Sequence, residues 1–233
     1  AAGADLVDLN FACPVRKVMR TGAGAALLGT PELAEACLRA AVEAVEGKVP
    51  VTVKIRSGLR AGDEAGRRLA PRLVAGGAAA VCVHPRSAAQ LYGGRADHDV
   101  TLALARELPV PVIASGDVAA TGAIGVPETR TLCAGLLDGG VAAIMVARAA
   151  VGRPWVFDEL LTGDAGPAPA ARLAEVRRFV ADVEAALGRR AVGHLRQFWP
   201  RFRRHGVLDP ALARELIVAT EVADVDRLLA GAG

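Results

Sequence analysis

The chain has 233 residues, with 28 basic and 25 acidic side chains and a formal net charge of +3. That length suffices for one sizeable core plus a smaller domain, and so balanced a charge does not by itself announce a nucleic-acid binder. No apolar run reaches the roughly 18 residues a membrane-crossing helix needs, and the four cysteines (Cys13, Cys37, Cys82, Cys133) form neither a CxxC pair nor a zinc spacing; with no signal-peptide pattern, a reduced, cytoplasmic protein is expected.

Ala1-Ala2-Gly3-Ala4 has no initiator Met and leads straight into a strand, so the chain is expected to start partway through a domain. Five short runs rich in Val and Ile predict strands at 6–10, 51–55, 80–84, 110–114 and 142–147, returning about every 30 residues after the first gap. Helical patterns fall between them at 31–46, 63–75, 100–107 and 127–137. Pro31 suits a first helical turn, with Thr30 as its N-cap. Alternation at this spacing means a parallel sheet with right-handed crossovers. The strands read as nearly continuous apolar runs, as expected when both faces are covered. Periodicity alone does not separate a doubly wound sheet from a (β/α)8 barrel. The barrel is favoured because polar residues cluster at successive strand ends: Asn10, Lys54, His84, Ser115-Gly116-Asp117 and Arg148.

After Trp155 the character changes. Residues 163–169 (GDAGPAP) read as a linker, and 170–233 as helical with no strand signal. Leu173, Val176, Phe179, Val180 and Val183 have helical spacing. Further helices are predicted at 192–204, 210–219 and 222–230. Residues 171–205 hold nine Arg against three acidic residues. They read either as a solvated helix face or as a phosphate-contacting surface. Phe198, Trp199 and Phe202 are expected to pack the bundle while the interleaved Arg side chains point outward.

Several residues could carry chemistry. Cys13-Pro14 ends the first strand, since Pro14 has no N–H with which to continue a ladder. Cys13 reads either as a small buried apolar residue or as a reactive thiol, because Arg16, Lys17 and Arg20 follow within seven residues. Lys54, inside a β-branched run, is expensive to bury without an anionic partner; it reads as an edge-strand surface lysine or as a contact to an electron-rich ring or phosphate. His84 reads as a structural imidazole or, with Arg86, Gln90 and Tyr92, as part of a set that could orient a planar heterocycle and a phosphate backbone. Ser115-Gly116-Asp117 and Ala147-Arg148 could receive a phosphate, through backbone N–H groups and the Arg148 guanidinium. Gly22-Ala23-Gly24 is too short for a dinucleotide fingerprint and reads as a turn before a helix.

Taken together, Asn10, Cys13-Pro14, Lys17 and Gly22-Ala23-Gly24, then Val53-Lys54-Ile55-Arg56, then His84-Pro85-Arg86 with Gln90, Tyr92, Gly93 and Ala96-Asp97, resemble the tRNA-dihydrouridine synthases, in particular the bacterial B-type branch. The chain departs from that pattern at Ala12 and Ala147 (Gly in the family), Ser115 (Asn) and His98 (Trp). The resemblance implies a (β/α)8 TIM barrel lacking its first three strands, which with a flavin-binding segment and a glutamine contact would lie upstream of Ala1. It implies residues 1–162 as the FMN-binding catalytic domain and 168–233 as a helical tRNA-binding domain. It further implies FMN held by Lys54, His84, Ser115, Gly116, Asp117, Ala147 and Arg148, and NADPH or NADH as reductant. The substrate is then a tRNA uridine contacted by Asn10, Arg86, Gln90 and Tyr92, with Cys13 as general acid, in a cytoplasmic monomer. A flavin barrel reducing a small pyrimidine or enoate, and a non-catalytic RNA-binding fragment, are the alternative readings.

Overall fold

The computed structural model describes residues 3–118 and 126–232. They form two compact units, one of residues up to 118 together with 131–146, the other containing 147–233. The Gly-Pro stretch expected as a linker lies inside the second unit.

In chain order the first unit contains β1 (Val7–Phe11), α1 (Arg16–Met19), a 3-10 segment (Gly24–Gly29), α2 (Pro31–Val45), β2 (Val51–Arg56), α3 (Ala65–Ala75), β3 (Ala80–His84), α4 (His98–Glu107), β4 (Val112–Ser115), most of α5 (Val126–Asp138) and β5 (Ala143–Met145). All five predicted strands are present. They make one parallel sheet in the order β1-β2-β3-β4-β5. A doubly wound sheet reverses direction at a switch point, whereas a stretch of barrel adds each strand beside the last. The order runs without reversal, as in a stretch of barrel.

The strands are not apolar on both faces, as had been expected. Side chains alternate along a strand, so register partners share a face. One face carries Val7 and Val51; then Leu9, Val53, Val81 and Val112; then Phe11, Ile55, Val83, Ala114 and Ile144. Most of these side chains join a core with Leu38 of α2, Leu69 and Leu73 of α3, and Leu104 of α4. Each fully buried Val, Leu or Ile there contributes roughly 1.5–3 kcal/mol. The other face carries Asp8 beside Thr52, Asn10 beside Lys54 and Cys82, and Arg56 beside His84. Helices cover the apolar face; the polar face holds the chemistry.

Helix boundaries differ from expectation in three places. Thr30 occupies the N-cap position of α2, but its side chain makes no capping bond. Asp63 stands just before α3 and accepts from the amides of Leu59 and Ala65, both at 2.8 Å, so the chain bends there and the helix begins at Ala65. The single helix expected over 192–204 is two, separated before Pro200.

The second unit contains α6 (Val156–Thr162), α7 (Pro169–Leu187), α8 (Ala191–Leu195), α9 (Trp199–Arg204), α10 (Pro210–Val218) and α11 (Val222–Ala230). Pro200 separates α8 from α9 because its ring cannot donate to the carbonyl four residues back. Val176, Val180, Leu195, Trp199, Leu216, Val225 and Leu229 form the centre of one core. Phe179 meets Phe198 edge-on at 4.9 Å, so the aromatics do pack the bundle. The arginines divide. Arg177 donates to the Leu229 carbonyl at 2.6 Å and Arg196 to Ala219 at 2.9 Å, tying down the ends of α11 and α10; Arg189, Arg190, Arg203 and Arg204 are exposed.

Candidate functional site

The polar face of the sheet converges on the loops that follow β1, β3 and β4. After β1, the Asn10 carboxamide oxygen accepts from the Ala12 amide at 3.0 Å, an Asx-type turn that leaves the amide N–H groups as donors. Cys13 follows, half-buried. Its carbonyl accepts from the Ala25 amide at 2.9 Å. Gly24 makes this approach possible. Its φ is +61°, and a Cβ there would stand 2.7 Å from the Cys13 oxygen and 3.0 Å from the Cys13 Cβ. The Gly-Ala-Gly stretch is therefore a turn pressed against the cysteine, as expected. Arg16, Lys17 and Arg20 are in or beside α1 and exposed; among the described residues none of them bonds the thiol.

Arg56 is the functional residue that motif reading did not single out. It ends β2 and is 3% exposed. Its Nε donates to the Ala12 carbonyl at 2.9 Å, and its Nη1 to the carbonyls of Ser87 at 2.9 Å and Leu91 at 2.8 Å. The guanidinium carbon lies 5.6 Å from the centre of the Tyr92 ring. One side chain thus joins the Cys13 loop to the Tyr92 loop. The available signal was its two-residue spacing from Lys54, which puts both on one face of β2.

Lys54 and His84 line the same face. Burial pushes the Lys54 ammonium below the ordinary lysine range, with the Arg56 charge acting the same way. Among the described residues the Lys54 ammonium has no hydrogen-bond or ion-pair partner. Burial, then the charges of Arg56, Lys54 and Arg86, push His84 down to about 3. Its imidazole is therefore neutral near pH 7, and among the described residues its buried Nδ1 has no partner. Burial pushes the neighbouring Cys82 thiol up to about 11.

Arg86, expected beside an RNA phosphate, is 2% exposed and faces inward. It donates to the carbonyls of Gly93 at 3.0 Å and Gly94 at 2.6 Å, and its Nη2 lies 2.7 and 2.8 Å from the two Asp117 carboxylate oxygens. Asp117 also accepts from the Ala96 amide at 2.6 Å. Burial alone would raise the Asp117 carboxyl; the Ala96 amide and Arg86 outweigh it and hold the group below its ordinary value. Gln90 turns its oxygen back onto the Ser87 amide, at 2.8 Å. Arg86, Gln90 and Asp117 thus shape the 87–97 loop that presents Tyr92, which is 53% exposed and meets His84 edge-on at 6.4 Å.

Ser115 is buried at the end of β4. Gly116 has a φ of +102°, and a Cβ there would stand 2.9 Å from His84 Cδ2. The Gly116 carbonyl accepts from His98 Nε2 at 2.9 Å, a bond that fixes the proton on that nitrogen. His98, the departure from the family pattern, grips this turn from the start of α4. The Ala- and Gly-rich stretch after Val118 lies outside the described residues. Ala147 and Arg148 belong to the second unit.

The arrangement offers a half-buried thiol, an unpartnered ammonium, a neutral imidazole and an exposed phenol on one face and its rim. That donor set fits a planar ligand rich in acceptor oxygens and nitrogens, as a flavin ring is: the Lys54 ammonium and the orphaned His84 nitrogen both lack a protein partner. Among the described residues no cluster could hold a metal ion, and no helix is long and apolar enough to cross a membrane.

Comparison with known proteins agrees with the geometry. The family model described as "Dihydrouridine synthase (Dus)" matches residues 1–198. The tRNA-dihydrouridine synthase B of Pseudomonas putida (strain KT2440) is 40% identical over 190 residues, covering 80% of this chain and 53% of the relative. The protein of the same name from Serratia marcescens is 35% identical over 201 residues, covering 84% and 53%. That of Klebsiella pneumoniae is 38% identical over 185 residues, covering 77% and 53%. The chain spans about half the length of the curated relatives it matches.

Proposed function

The chain belongs to the dihydrouridine synthase family, and on that premise we propose that it carries the proton-donating part of an enzyme that reduces tRNA uridines to 5,6-dihydrouridine in the cytoplasm. The sheet is then part of a (β/α)8 barrel. Lys54 and His84 would hold the ring of FMN, which would supply the hydride for uracil C6 with NADPH or NADH as reductant. Ser115 and Gly116 would receive the FMN phosphate. Asp117, gripped by Arg86, acts on that turn indirectly by fixing its shape.

Cys13 completes the reduction by giving its thiol proton to uracil C5. Asn10 holds the uracil with its amide N–H groups, while its oxygen keeps the cysteine turn closed. Tyr92 faces the base from the opposite loop. Gln90 and Arg86 act through that loop rather than on the substrate. A uridine must leave its stack to reach the mouth of a barrel, as bases do in other base-modifying enzymes. The helical unit supplies further phosphate contacts through its exposed arginines.

What most supports this reading is the Arg56 bridge, which joins a half-buried thiol beside the polar face to the loop bearing an exposed phenol. The test is Cys13→Ala in the full-length protein. A positioned general acid contributes about 10²–10⁴-fold. Dihydrouridine formation is expected to fall by at least the lower factor while the flavin absorption spectrum is retained. Turnover equal to wild type would remove the proton-donor assignment.

A further inference from the structure

Leu91 is a strained residue with no structural reason to be a leucine. Its φ is +50°, in the left-handed region, where a Cβ crowds the following carbonyl and where Gly, Asn and Asp are the usual occupants. Packing does not explain the choice, because the residue is 50% exposed. The backbone is held from below: the amide donates to the Ala88 carbonyl at 3.1 Å, and the carbonyl accepts from buried Arg56 at 2.8 Å. The scaffold therefore imposes the conformation, and the side chain is pushed outward. Strain of this kind gathers at sites of function.

The surroundings indicate what the side chain meets. Tyr92, the next residue, is 53% exposed. Arg56 also holds the Ala12 carbonyl, so the loops after β1 and β3 meet on one guanidinium. The β1 loop adds Val15, 54% exposed, and the exposed cations Arg16, Lys17 and Arg20; the β3 loop adds exposed Arg95. The 12–24 segment contains no acidic residue, and the 87–97 loop has one, Asp97 at its end, which caps α4 by accepting from the Asp99 amide. Exposed apolar surface beside this excess of cations suits unpaired RNA, whose phosphates seek positive charge.

We propose that Leu91 is an apolar contact surface for the unpaired nucleotide beside the target uridine, held outward by the Arg56 clamp at the expense of backbone strain. The inference rests on the tRNA reading above. It predicts that stability and affinity move in opposite directions at this position. Leu91→Asn suits the left-handed backbone but removes the apolar surface; Leu91→Phe keeps the surface.

The experiment uses the full-length protein and an unmodified tRNA transcript at one fixed salt concentration, reading Kd by fluorescence anisotropy and Tm by calorimetry. Leu91→Asn is expected to weaken binding about five- to tenfold through lost apolar burial, with a Tm equal to or a few degrees above wild type, while Leu91→Phe binds within about twofold of wild type or more tightly. An unchanged Kd in Leu91→Asn overturns the proposal. So does a loss of binding shared by Leu91→Phe, which would mark the backbone rather than the surface, and so does a lowered Tm in Leu91→Asn. Dihydrouridine formation by the wild-type protein is measured alongside. Its absence overturns the tRNA reading itself, and its presence with an unchanged Kd overturns only the role of Leu91.

Discussion

Two buried guanidiniums organise the site, and they are held differently. Arg86 is neutralised by a carboxylate, with both partners bound to backbone as well, while its buried Nη1 has no partner among the described residues. Arg56 has backbone carbonyls and an aromatic face as its described contacts. His84, on the adjoining strand, is buried and feels the Arg56 charge. The ordinary imidazole value is 6.5, and the folded one is about 3. Between those values the unfolded chain takes up a proton that the folded chain does not. The contribution of His84 is thus fully favourable above pH 6.5 and declines as pH falls toward 3. The melting temperature should drop between pH 7.5 and pH 5, and His84→Asn should flatten that slope. A residual slope is expected, because burial lowers His98 and His205 in the same direction. Parallel slopes in the two proteins would show that His84 does not titrate as argued.

At the scale of elements, the short turn after α1 governs the cysteine. Gly24→Ala adds a methyl group at a left-handed backbone position, 2.7 Å from the Cys13 carbonyl. It should cost about 1–3 kcal/mol of stability and slow dihydrouridine formation as the thiol is displaced, with the flavin spectrum retained. Melting and turnover, measured together, check it; a variant with wild-type values in both would mean the turn adapts freely. Much of this unit was legible in advance. The β-branched runs found all five strands, and polar strand ends located Asn10, Lys54 and His84. What escaped notice was non-local. Arg56 looked like the tail of an apolar run, and its role depends on carbonyls 31 to 44 residues away in sequence. Arg86 and Gln90 were recognised as parts of a motif, but only the folded loop shows them bonding inward. Thr30 had the right type and position for a cap, yet its side chain makes no capping bond. Pro200, by contrast, was a visible break that helical spacing alone had overridden.

At the scale of the whole molecule, the apolar contacts of the second unit fall into a core of their own. Every buried side chain of that core lies between Leu173 and Leu229. Residues 168–233 expressed alone should therefore be helical and melt cooperatively, as circular dichroism would show; a non-cooperative, largely unfolded segment would mean that this core is insufficient by itself. Of the nine arginines in 171–205, Arg177 and Arg196 are engaged in holding helix ends, and Arg172 lies over Trp155. The charge left to meet a polyanion is smaller than a count along the chain suggests. The sheet's alternation has its own bearing on descent. Odd-numbered positions of β2 anchor helices and Arg56 ties two loops together, whereas Lys54 has no described partner to lose. Mutations at the first kind of position burden folding. A lineage could exchange Lys54 while inheriting its scaffold unchanged.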